Sequence, residues 1–281
     1  MIAVILEGRL GNQLFQYAFA YATSKKLKTN FYLDKSIQPI LLTKYFVLYN
    51  RFNLLDQYVF SISGFKNFFT YYLRIYFYYL IRRIYNLKDI EFSDTIMPKI
   101  QLNKISRQSI FKGFFQSEEY FEAYKAEILE KLRLKKKYID LFEEIYFKLE
   151  ISSKVVVIHL RRGDYLSLDI HLPGRYYHNA ISLIHNSENF YIIISDDPEF
   201  AKIEFNYLPN KYISSHSEII DLQFLIHADI CILSNSSFSW WGAYLNKKKP
   251  KVIAPRYWLG LKEKKECPMG VILDNWDLIA T

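Results

Sequence analysis

Two adjacent arginines, Arg161 and Arg162, leave an apolar run in the segment His159-Leu160-Arg161-Arg162-Gly163-Asp164. Guanidinium groups stay charged at any working pH, and their planar forks match phosphate oxygens. Emerging side by side from a buried strand, they bring desolvated positive charge to one spot. That suits a diphosphate leaving group without calling on a metal. The plainer alternative is a structural ion pair with Asp164, although the pattern is unusual for simple stapling. His159 by itself also fits a satisfied core histidine.

Three other clusters have the residue types for the same chemistry. In Ser195-Asp196-Asp197-Pro198, Asp197 before a proline reads as a helix N-cap. Asp196 is then free to accept from ribose hydroxyls or a base N–H pair. The aspartate pair also fits a divalent ion bridging a diphosphate, a reading ranked lower because the arginines offer the same compensation. In the run Ser234 to Gly242, Asn235, Ser236, Ser237 and Phe238 stand where small polar residues at a helix start cap the helix, cradle a phosphate, or do both. Trp240-Trp241 in the same run fits ordinary packing. Near the N-terminus, Gly8-Arg9-Leu10-Gly11-Asn12-Gln13 fits either a tight turn or a backbone approach to an anion, with Gly11, Asn12 and Gln13 as its ligand-facing candidates.

All four clusters follow strand-like runs. Ile2 to Leu6 precedes the first, and a helix from about Gln13 to Lys26 and a strand at Phe31 to Leu33 follow it. In the second half, Val155 to Leu160, Phe190 to Ile194, Asp229 to Leu233 and Lys251 to Ala254 alternate with helical segments. Near-continuous apolar strands separated by helices predict parallel sheets covered on both faces. In such sheets ligands bind outside the carboxyl ends of the strands. A strong helix is expected over about Ser117 to Leu134, with Glu118-Glu119 in its first turn and Lys131 and Arg133 near its end. Another follows Lys135-Lys136-Lys137 to about Leu149. The domain boundary is therefore placed at 150/151, between an N-terminal lobe, 1–150, and a C-terminal lobe, 151–281.

The 281 residues carry a formal charge of +8, and 18% are aromatic. A basic balance favours anionic partners without choosing among them. Cys231 and Cys267 are the two cysteines and have no metal-ligand company, which fits a reducing compartment. The chain opens at once on Ile2 to Leu6 with no basic n-region, so no signal peptide is read and a cytoplasmic location is expected. The segment 65–85 is too interrupted by Lys66, Arg74, Arg82 and Arg83 to span a bilayer. Packing into the N-terminal lobe, or peripheral contact with an anionic membrane face, both fit it.

Taken together the motifs resemble α-1,2-fucosyltransferases of glycosyltransferase family 11. The matching segments are Gly8 to Tyr17, Gly113 to Phe121, His159 to Tyr165 and Ser234 to Ala243, with the Ser195-Asp196-Asp197 turn fitting as well. They extend over almost the whole chain. The resemblance implies a GT-B fold, an α/β architecture of two Rossmann-like lobes with parallel sheets and an interlobe cleft. It further implies a GDP-β-L-fucose donor, inversion, a galactose-containing glycan acceptor, and no metal or other cofactor. Arg161 would meet the β-phosphate with Arg162 beside it. His159 and the Asp196-Asp197 turn would take base and ribose, Ser236, Ser237 and Phe238 the diphosphate, and Asn12 and Gln13 would face the donor. Asp164 is the candidate base, although an arginine partner would weaken it in that role. Arg9 stands where many members have Gly, and Phe200 where a Trp often follows the aspartates; neither is expected to touch the phosphate chemistry. Two rivals remain: a metal-dependent sugar-nucleotide transferase using Asp196-Asp197, and a non-enzymatic nucleotide or nucleic-acid binding module. Motifs gathered at strand ends, rather than along a basic stripe, argue against nucleic acid.

Overall fold

The computed structural model describes residues 1–48 and 68–281. The chain divides into two compact units, Met1–Lys135 and Lys136–Thr281. In the first, β1 (Ile2–Ile5), α1 (Leu10–Lys26), β2 (Phe31–Asp34), α2 (Leu42–Tyr45), α3 (Phe68–Ile84), β3 (Lys88–Glu91), α4 (Pro98–Gln101), β4 (Ser109–Lys112) and α5 (Lys125–Lys131) follow one another. The four strands lie in the order β2-β1-β4-β3 and every pairing is parallel. Strand β1 is buried along its whole length, which is why it reads as an unbroken apolar run rather than an alternating one. Among the described residues no helix is long and apolar enough to cross a membrane.

The second unit contains α6 (Lys136–Phe147), β5 (Val155–Leu160), α7 (Gly163–Ser167), α8 (Gly174–Ser182), β6 (Phe190–Ser195), α9 (Pro198–Glu204), β7 (Lys211–Ile213), α10 (Glu218–His227), β8 (Ile230–Ile232), α11 (Ser237–Tyr244), β9 (Lys251–Pro255) and β10 (Asp277–Ile279). Its six parallel strands run β7-β6-β5-β8-β9-β10 across the sheet. This is the dinucleotide-fold order, and the direction of winding reverses between β5 and β8. Tyr176, Tyr177, Tyr191 and Phe205 fill the core on one face. Trp240 and Trp241 are fully buried and pack on Tyr244 and Trp276, so they are core residues.

Two expectations change. The boundary lies at 135/136 and not at 150/151, because α6 belongs to the second unit. Its Phe142 ring packs 5.3 Å from Phe224 and 4.8 Å from His227 of α10, and the Tyr138 carbonyl accepts from Gln223. The long helix expected over Ser117 to Leu134 is broken. It consists of single turns at Glu118–Tyr120 and Glu122–Tyr124 before α5. The consecutive rings of Tyr120 and Phe121 are both buried, against Phe19 and Phe15 respectively. Phe121 reaches φ −140°, outside the helical range, so that both rings can face inward.

Candidate active site

The carboxyl ends of β5, β6 and β8 gather three of the four clusters at the point where the second sheet reverses. His159, the penultimate residue of β5, is buried, and its Nδ1 lies 2.6 Å from Ser234 Oγ at the end of β8. Burial, with the nearby Arg161 charge adding to it, pushes the imidazole down to about 3. His159 is therefore neutral at pH 7 and ties the two strands on either side of the reversal.

Arg161 is held between two carboxylates. Its Nη1 is 2.8 Å from Asp196 Oδ2, and its Nη2 donates to Asp164 Oδ1. The side chain is 14% exposed, largely desolvated yet reachable. A guanidinium has five N–H donors, so these two contacts leave donors to meet an oxyanion. Arg162 donates from Nε to Asp197 Oδ2 at 3.2 Å, and its guanidinium lies 3.4 Å over the Phe200 ring. Phe200 thus touches the arginine pair directly, contrary to expectation. It meets the guanidinium with its ring face, a contact that any planar aromatic ring at this position can provide.

The aspartate turn also differs from its predicted role. Asp197 caps α9 as expected, accepting from Phe200 N at 3.1 Å. Asp196, however, already has a partner at each oxygen. One oxygen holds Arg161, and the other accepts from the backbone N–H of Arg162 at 2.8 Å. Gly163 permits this arrangement, since a Cβ there would stand 2.6 Å from Asp196 Oδ2. Both carboxylates of the turn are thus bound to guanidiniums. Among the described residues no group of three or more His, Cys, Asp or Glu side chains comes together as a metal site.

After β8, Ser236 caps α11 and accepts from Phe238 N. Ser237 and Phe238 are partly exposed at the helix start, with the Phe238 ring 5.4 Å from His159. Asn235 does not turn outward. It is 1% exposed, and its Nδ2 donates to the carbonyls of Ile170 and Trp258 at 2.7 and 3.3 Å. It shapes the turn from below, because two buried carbonyls need a donor there. Tyr165 donates to the Asn235 carbonyl at 3.2 Å and places its ring under Arg161, 5.4 Å away.

In the first unit the equivalent crest joins the turn after β1 to the one after β4. Gln116 donates to Asn12 Oδ1 at 2.9 Å, and Gln16 bridges Glu7 N and the Gly113 carbonyl. Asn12 is partly exposed, and Gly11 sits buried in the first turn of α1. Gln13 departs from its expected place facing a donor. Fully buried, it donates to the Pro39 carbonyl at 2.9 Å and accepts from Leu41 N at 2.7 Å. Both ends of its amide are consumed in holding the 39–41 segment to α1.

Tyr165, Gly163 and Gln116 were not singled out from sequence. Tyr165 lies on α7 while Arg161 precedes that helix, so no helical spacing in the sequence announces their contact. Asp221 was also missed. It faces Ser214 at the end of β7, with its carboxylate accepting the Ser214 hydroxyl, and burial pushes it up to about 7. The second of two acids in the first turn of the run Glu218 to His227 gives no signal of that kind.

A sequence-family model described as glycosyl transferase family 11 matches residues 1–280. The O-antigen biosynthesis glycosyltransferase WbnK of Escherichia coli is 28% identical, over 96% of this chain and 98% of that one. An alpha-1,2-colitosyltransferase of Escherichia coli is 30% identical, over 94% of each. Among solved structures, the fucosyltransferase NodZ from Bradyrhizobium superposes with a TM-score of 0.53 at 12% identity, over 86% of this chain and 91% of that one. At that identity the likeness speaks for the fold, which is α/β of GT-B type with two Rossmann-like units. The match over the whole chain, and the switch-point crest that presents its motifs, make this protein a member of glycosyltransferase family 11.

Proposed function

We propose that this chain transfers L-fucose from GDP-β-L-fucose, with inversion and without a metal, to the 2-hydroxyl of a galactose residue in a glycan. The observation that carries this reading is the setting of Arg161, a largely desolvated guanidinium fixed by Asp164 and Asp196 at the crest of a dinucleotide-type sheet. The acceptor oxygen attacks the anomeric carbon as the bond from that carbon to the β-phosphate oxygen breaks. The bonding pair leaves with GDP, and the hydroxyl proton passes to Asp164, the half-exposed carboxylate of the crest, or to water. Arg161 and the capped start of α11 stabilise the charge that develops on the pyrophosphate. Electrostatic stabilisation of this kind is the main source of rate enhancement expected for such a displacement. Metal independence is supported by the aspartates of the 196–197 turn, whose charge is already met by Arg161 and Arg162. The related O-antigen enzyme supports surface polysaccharide assembly as the setting.

A second donor is favoured by one observation, the relative named as a colitosyltransferase. Colitose is fucose without its 3-hydroxyl, so the two donors present the same diphosphate to the same crest. Incubating the protein with GDP-fucose or GDP-colitose, a panel of galactosides and a strong chelator, followed by linkage analysis, separates these readings. A new α-1,2 linkage formed in chelator supports the proposal, and the faster donor names the sugar. Loss of turnover in chelator, restored by a divalent ion, overturns metal independence. Arg161→Ala is expected to lower turnover by about 10²–10³-fold with its melting transition intact; wild-type turnover in the folded variant would remove the arginine from the mechanism.

A further inference from the structure

Helix α3 has two apolar faces, and among the described residues the first sheet covers only one of them. Tyr78 and Ile81 turn inward and are buried against Ala3, Ile5, Tyr32 and Ile110 of the first sheet. Arg82 fastens the same face through Asp34, at 2.9 Å. The opposite face carries Leu73, Tyr76, Tyr79, Leu80 and Ile84, between 39% and 75% exposed. The spacing 73, 76, 80, 84, with 79 beside it, is that of one continuous helical stripe. Isolated exposed apolar side chains are ordinary, but a contiguous row of large ones marks a contact surface.

Charge indicates what that surface meets. From Phe68 to Lys88 there is no acidic residue, and Arg74, Arg82, Arg83 and Lys88 are all basic. Arg83 lies along the stripe with its guanidinium 5.5 Å over the Tyr79 ring, an arrangement in which an aromatic body and a cationic head share one level. Tyrosine rings and snorkelling arginines favour the headgroup region of a bilayer. A second copy of the chain is a poor occupant, because pairing the stripe with itself brings together two basic, acid-free helices on molecules that each carry +8. The helix does not qualify as a membrane span, so contact means lying on the surface and not crossing it. We propose that the outward face of α3 docks this protein on an anionic lipid surface, with Leu73, Tyr76, Leu80 and Ile84 entering the headgroup boundary and Arg83 meeting the lipid charge.

The test is co-sedimentation of the full chain with phosphatidylcholine vesicles, with and without about one-third phosphatidylglycerol. The wild type is expected to pellet with the anionic vesicles at low salt, to be released as salt rises, and to ignore neutral vesicles. The double change Tyr76→Ser and Ile84→Ser, or Arg83→Glu alone, is expected to weaken binding about tenfold or more. Transfer to a soluble acceptor should be unchanged, because none of these residues belongs to the crest. Arg83→Glu leaves the apolar stripe whole, so it answers the question even if the double variant folds poorly. Equal binding by wild type and Arg83→Glu, absence of binding at low salt, or a dimer of the wild type that the double variant loses would each overturn the proposal.

Discussion

Asp196 fixes its neighbours from both carboxylate oxygens. One takes the Arg161 side chain, the other takes the Arg162 backbone, and the missing Cβ of Gly163 leaves room for it. In this arrangement the carboxylate positions an arginine. That role shows in kinetics. Asp196→Asn keeps the shape but loses the charge that orients Arg161, so kcat should fall by about 10–100-fold while KM for the nucleotide sugar changes little. A variant with a raised KM and unchanged kcat would instead make Asp196 a ground-state ligand. Steady-state rates across donor concentrations distinguish the two.

At the scale of elements, the ends of strands carry the site and the helices behind them hold those ends still. In the first unit, α1 contributes Phe19, fully buried and stacked 3.9 Å from the Phe115 ring at an interplanar angle of 2°. Phe92, Phe111 and Tyr120 meet Phe19 edge-on. Phe115 has φ +53°, a left-handed conformation costly for a bulky side chain. The aromatic cluster holds it there, and the next residue, Gln116, is thereby delivered to Asn12. Phe19→Ala is expected to destabilise the protein by about 3–5 kcal/mol, read from urea unfolding. It should also loosen the Gly113 to Gln116 turn, visible as faster amide exchange at that turn than at β1.

At the scale of the whole molecule, two groups of the second unit, His159 on β5 and Asp221 on α10, give stability opposite pH dependences. His159, lowered from 6.5 to about 3, binds its proton less well folded than unfolded. Its contribution is present above about pH 6.5 and is lost as pH falls toward 3. Asp221, raised from 3.8 to about 7, binds its proton more tightly in the folded state. Its contribution is present below about pH 4 and is lost as pH rises toward 7. The two slopes oppose one another across the overlap, so the joint contribution of these two groups is nearly constant between about pH 4 and pH 6.5. Asp221→Asn removes one slope. The variant should be more stable than wild type at pH 8, by on the order of 3–4 kcal/mol, and should lose stability with acid more steeply. Parallel melting curves for the two proteins from pH 4 to pH 8 would contradict this assignment.

Motif chemistry and the long central strands were legible because they are local. An apolar run such as Val155 to Leu160 cannot be left in water, and arginines at its end must emerge at the sheet's edge. The pairing of Asp197 with α9, and the burial of Trp240 and Trp241, followed from the same local logic. The short strands β3, β7 and β10 left little trace. They are edge strands of three or four residues, whose partners rather than their composition make them strands. The aromatic helix expected from segment 65–85 is seen from Phe68 onward; residues 65–67 lie outside the described residues.

By itself the amino-acid sequence determined the α/β class, the clustering of charge at strand ends and the family. Tertiary structure alone decided what each polar side chain does. Gln13, Asn235 and Asp196 each carry groups suited to a ligand, yet the Gln13 amide, the Asn235 amide nitrogen and the Asp196 carboxylate are engaged by neighbours brought close only by folding. A buried donor or acceptor must find a partner, and which partner is nearest depends on the crossing of strands far apart along the chain.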